Sequence, residues 1–114
     1  MKSPITTHVL DTSTGKPAAN VPAKLERIVD GHATTIGSSA TNSDGRITDL
    51  LGDDDVLELG RYRITFDTAS YFAERGVKCF FPEVSILFEV TDETQHHHVP
   101  LLLSPFGYST YRGS

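Results

Sequence analysis

Four of the five histidines fall in two short stretches, His8 in ITTHVL and His96–His98 in QHHHVP. An imidazole titrates near neutrality, so it can take a proton from water, give one to a leaving group, or bind a metal. Residues two apart on a strand share a face, which puts His96 and His98 together. With His8 as a third ligand they would form the three-histidine set of a catalytic zinc centre. A His-x-His pair is common on ordinary strands, however, and a histidine outside the core can simply be solvated. Arg46 follows the tight-turn pair Asp44-Gly45. By itself it could be an ordinary exposed arginine. Asp53-Asp54-Asp55 lacks the alternating ligand spacing of a calcium loop and reads as a solvated acidic loop. Cys79, beside Phe80-Phe81-Pro82, has no activating neighbour and reads as structural. There is no nucleophile elbow and no phosphate loop.

The elements that must position these residues are mostly strands. Tyr62, Ile64 and Phe66 alternate with Arg61, Arg63 and Thr65, while Val84, Ile86, Phe88 and Val90 alternate with Ser85, Leu87 and Glu89. Leu87 is the one exception to the in-out pattern. Val21, Ala23 and Leu25 mark another strand and Ile5–Leu10 the first, in which His8 shares a face with Thr6 and Leu10 and leaves Ile5 and Val9 for the core. His98 shares a face with Pro100 and Leu102, opposite Val99, Leu101 and Leu103. Turn clusters separate the strands at Thr14–Pro17, Asp30-Gly31, Asn42–Gly45 and Ser104-Pro105, and Gly31-His32 reads as a hairpin turn. The segment Thr68–Gly76 breaks the pattern, with Thr68 as N-cap and Gly76 as stop of one short helix. Phe106–Tyr111 reads as a last strand with Ser109 and Tyr111 on one face. Many short strands between such turns indicate an all-β sandwich or barrel. Both faces of Val99–Leu103 are apolar, so the face turned from the core is expected to meet another subunit.

Composition narrows the class. The chain has 114 residues, 38% hydrophobic and 22% charged, which suits one folded domain over residues 1–114. A net charge of −5 without a basic cluster argues against nucleic-acid and membrane-surface partners. The single cysteine forms no internal disulfide and, with no signal-like or membrane-spanning stretch, points to the cytoplasm.

Three stretches carry a resemblance: HVLDTSTGKPA at His8–Ala18, TNSDGRI at Thr41–Ile47, and HVPLLLSPFGYSTYRGS from His98 to Ser114. They resemble the 5-hydroxyisourate hydrolase family, the enzymatic relatives of the hormone carrier transthyretin. The resemblance implies a sandwich of two four-stranded sheets with one short helix. It also implies a homotetramer with active sites at the dimer–dimer interface, and opening of a purine-derived ring by water without metal or cofactor. It carries catalytic roles onto His8, Arg46 and His98, and substrate contacts onto Ser109, Tyr111, Arg112, Gly113 and Ser114. The carriers have Lys, Glu and Thr where this chain has His8, Arg46 and His98, and lack the terminal YRGS. One departure is His97, where the family often has Tyr; on alternation it faces away from His98. The C-terminal tail is expected to fold over the substrate, and an N-terminal extension to be harmless provided the residues before Ile5 are disordered.

Overall fold

The computed structural model describes residues 3–52 and 55–114. Asp53 and Asp54 of the acidic loop lie outside them, while the carboxylate of Asp55 accepts the Gly52 N–H at 2.6 Å. Strands β1 (Ile5–Asp11), β2 (Lys16–Pro17), β3 (Pro22–Val29), β4 (His32–Ala40), β5 (Arg46–Ile47) and β6 (Gly60–Phe66) precede helix α1 (Thr68–Glu74). Strands β7 (Val84–Val90), β8 (His97–Ser104) and β9 (Gly107–Thr110) follow it. They form two sheets, ordered β2-β1-β8-β9 and β4-β3-β6-β7, with β5 also paired to β1. The expected pair of four-stranded layers is present, and the first is widened because β2 and β5 each pair with part of β1.

Alternation builds the core as the sequence suggested. Ile5, Val9, Leu25, Ile64, Phe66, Val84 and Leu101 are fully buried between the sheets. Burying each such side chain contributes about 1.5–3 kcal/mol. His97 joins them at 5% exposure, facing inward and away from His98. The hairpin between β3 and β4 turns on Asp30 and Gly31, at φ 51° and 79°, the left-handed pair a two-residue hairpin needs. His32 is the first residue of β4, paired with Val29, at the edge of this turn.

Two local readings change. The helix is capped by Asp67, whose side chain accepts the Ser70 N–H at 3.1 Å. Thr68 is instead the first helical residue, and its hydroxyl donates to the Phe81 carbonyl, tying the helix to the loop before β7. The chain ahead of Ile5 is also held: Ser3 is 1% exposed, its N–H donates to the Thr48 carbonyl, and its hydroxyl accepts the Leu51 N–H. The tolerance expected for an N-terminal extension therefore loses its premise at Ser3.

Candidate active site

The pairing of β1 with β8 is parallel, with Thr6 opposite His98, His8 opposite Pro100 and Leu10 opposite Leu102. Partners in register share a face, so Thr6, His8, Leu10, His98, Pro100 and Leu102 form one patch on the outer side of the sheet. The Asn42–Gly45 turn adds Arg46. Asn42 Oδ1 accepts the N–H groups of Asp44 and Arg46, and Gly45 adopts φ 75°. A Cβ at Gly45 would come within 2.4 Å of the Val9 carbonyl oxygen, so only glycine lets this turn press against β1. The result sets Arg46 opposite His8 in the ladder.

Thr6, Thr7, Arg46, Thr48, His96, His98 and Ser114 line a cavity of about 460 Å³, within the range of small-molecule sites. A larger hollow of about 900 Å³ on the other sheet, lined by residues such as Lys24, Ser38, Asp67 and Glu83, contains no histidine. His8 stands beside the cavity wall, next to Arg46. Burial lowers the pKa of His8 below its ordinary value and the Arg46 charge lowers it further, against an opposing hydrogen bond and charge from Asp44. His8 is thereby held toward its neutral, proton-accepting form.

The C-terminal tail reaches the same place from the far end of the chain. Gly113 N–H donates to the His98 carbonyl at 2.9 Å, and Ser114 enters the cavity lining. Arg112 and Tyr111 do not enter it. They line a neighbouring hollow with His97, Val99 and Glu89, and the Arg112 guanidinium donates to Gln95 Oε1 at 2.9 Å. Within one protomer Arg112 thus braces the tail. Ser109 pairs with Leu102 and is exposed on the outer face.

Thr6 and Thr48 were not singled out as site residues in the sequence. Thr6 shared a face with His8, but only the β1–β8 pairing brings it to His98. Its Oγ1 lies 2.8 Å from His96 Nε2 and 2.8 Å from His98 Nδ1. Both nitrogens are thus engaged by a hydroxyl, and His8 does not join them. Among the described residues, no three of His, Cys, Asp and Glu gather as a metal ion would require. Cys79 is half-buried against the core, away from this cavity's lining.

One contact from the middle of helix α1 completes the frame. Tyr71 Oη donates to Asp11 Oδ2 at 2.8 Å, and the Tyr71 pKa is pushed up to about 12 by burial and by this bond. Burial pushes Asp11 up, but hydrogen bonds from Ser13, Tyr71 and Thr14 outweigh it and bring the carboxyl below its ordinary value. The pair fixes the end of β1 that follows His8.

The chain is similar to known proteins over nearly its whole length. The chain is 49% identical to the uric acid degradation bifunctional protein TTL of Arabidopsis thaliana, over 99% of this chain and 38% of that one. It is 46% identical to the 5-hydroxyisourate hydrolase of Mus musculus, over 98% of this chain and 96% of that one. The structure of Klebsiella pneumoniae 5-hydroxyisourate hydrolase superposes with a TM-score of 0.84 at 39% identity, covering 96% and 97% of the two chains. Sea bream transthyretin in complex with thyroxine superposes with a TM-score of 0.90 at 31% identity, covering 97% and 95%. The backbone alone therefore does not separate hydrolase from carrier; the side chains at the cavity must. Residues 5–113 match the HIUase/Transthyretin family, and the chain belongs to that family.

Proposed function

We propose that this protein is a 5-hydroxyisourate hydrolase, opening the cyclic amide at its N1–C6 bond to give a ureidoimidazoline carboxylate in urate degradation. The observation that carries the reading is that one cavity collects His98, Arg46 and Ser114 from three distant parts of the chain, with His8 beside Arg46. Hydrolysis of an amide needs a base for water, a counter-charge for the oxyanion and a proton for the leaving nitrogen. His8 and His98 supply the proton chemistry. Arg46 supplies planar donors for the ring carbonyls and the oxyanion. Gly113 and Ser114 close one side of the site, with Tyr111 and Arg112 bracing the tail and Ser109 on the adjoining face. The reaction as written uses no cofactor.

The whole of residues 1–114 acts as one domain in this reading, and the cleft is completed by further copies in a homotetramer. What supports assembly is the outer face, where half-buried Leu10 and Leu102 lie side by side. The exposed Leu87 on β7, an edge strand, adds apolar surface. No helix among the described residues is long and apolar enough to cross a membrane. A cytoplasmic setting suits the free thiol of Cys79.

The test is to supply freshly generated 5-hydroxyisourate, from urate and urate oxidase, and follow its loss against the spontaneous rate. Acceleration that survives a chelator is the expected result. Acceleration abolished by chelator would replace this reading with a zinc hydrolase, and binding without turnover with a carrier.

A further inference from the structure

Thr6 is 5% exposed and lies directly across the parallel ladder from His98. Its hydroxyl sits between two imidazoles, 2.8 Å from Nε2 of His96 and 2.8 Å from Nδ1 of His98. A threonine hydroxyl has one proton and two lone pairs, so it can donate to only one of these rings. The ring it does not serve must donate an N–H to it for both short contacts to be hydrogen bonds. Two neutral histidines around one hydroxyl, met through Nε2 of one ring and Nδ1 of the other, are thereby driven into the same tautomer, both Nδ1–H or both Nε2–H.

The surroundings choose between the two arrangements. His96 is exposed, so a proton on its Nδ1 can be solvated while its Nε2 accepts from Thr6. The cavity shared by His98 also carries the Arg46 guanidinium, and near a cation a ring lone pair is favoured over an N–H dipole. We propose that Thr6 is a positioning residue for the hydrolysis: its hydroxyl, held between His96 and His98, keeps the His98 proton on Nδ1 and leaves Nε2 to act as the base. The proposal rests on the hydrolase reading above. When His98 Nε2 takes a proton from the attacking water, the Nδ1–H stays on Thr6, and the Nε2 proton passes on to the leaving nitrogen. No other group has to change its protonation state. His96 acts here through Thr6 alone, as the acceptor that orients the hydroxyl.

The experiment compares Thr6→Val, which keeps the shape and removes the hydroxyl, with Thr6→Ser, which keeps the hydroxyl. The expected result for Thr6→Val is a kcat lower by about tenfold or more with KM changed less than about twofold. Thr6→Ser should stay within about threefold of the unsubstituted protein. In parallel, nitrogen NMR of histidine-labelled protein should show His98 protonated at Nδ1, with the two tautomers mixed in Thr6→Val. Equal kcat for Thr6→Val and the unsubstituted protein, or a His98 proton found on Nε2, would overturn the proposal. Should the unsubstituted protein fail to turn over 5-hydroxyisourate, the hydrolase reading falls, while the NMR result still decides what Thr6 does to His98. Should Thr6→Val fail to fold, Thr6→Ser and the tautomer of the unsubstituted protein decide it.

Discussion

Gly113 is packed edge-on against the imidazole of His98: a Cβ at residue 113 would stand 2.5 Å from His98 Cδ2 and 3.2 Å from Pro100 Cγ. The same glycine donates its N–H to the His98 carbonyl at 2.9 Å. The last residues of the chain thus meet His98 by both backbone and van der Waals contact.

Gly113→Ala is therefore expected to displace either the tail or the His98 ring. Misplacement of a reacting group by about 1 Å can cost a hundredfold in rate. Steady-state kinetics should show a fall of that order, with the melting temperature within about 4 °C because the position is peripheral to the core. An unchanged rate would separate the tail from the chemistry.

Removing Arg112–Ser114, or fusing a tag after Ser114, should lower activity more than about tenfold, since Gly113 and Ser114 both leave the site. Oligomeric state and melting temperature should hold, because the core residues lie elsewhere. Full activity in the truncated chain would contradict the assignment of the tail.

His8 gives a pH prediction with a defined sign. Burial and the Arg46 charge both hold its pKa down, so Arg46→Gln should raise it toward the ordinary 6.5, as read by NMR titration of the His8 ring. A constant or falling value would place Arg46 elsewhere. Burial, the Arg112 charge and a lesser contribution from His96 likewise lower His97, against opposing contributions from Gln95 and Asp92. For both histidines the unfolded chain binds protons more readily than the folded one. Their contribution to stability is therefore present above about 6.5 and lost as pH falls below it. Melting temperature should decline on acidification through that window.

Leu102→Asp sets a charge beside Leu10 on the outer face. Light scattering after size exclusion should show a tetramer for the unsubstituted chain and smaller species for the variant, with activity lost alongside. A monomeric and fully active parent would remove the shared cleft from the account.

Much of this was legible before the fold was in hand, because strand alternation dictates faces. Ile5, Val9, Val99 and Leu101 are buried as their spacing required, and His8 and His98 lie on the opposite face. Pairing between strands was not legible. The alternation of β1 and that of β8 are each silent on their parallel alignment, and that alignment alone makes Thr6 a partner of His98. The direction of Arg112 was hidden for the same reason, since Gln95 reaches it from a loop 17 residues away. Asp67 took the helix cap from Thr68 because the neighbouring carbonyl of Phe81 offered Thr68 a different bond.

The most direct test of the central claim compares initial rates of 5-hydroxyisourate loss for the unsubstituted protein, His8→Ala, His98→Ala and His32→Ala, all in chelator. The account predicts a fall of about a hundredfold or more for the first two variants, the usual scale for acid–base groups. It predicts a near-parental rate for His32→Ala, since His32 lies exposed at the β3–β4 turn. Rates for His8→Ala and His98→Ala equal to that of the parent, or a His32→Ala variant as impaired as they are, would contradict it.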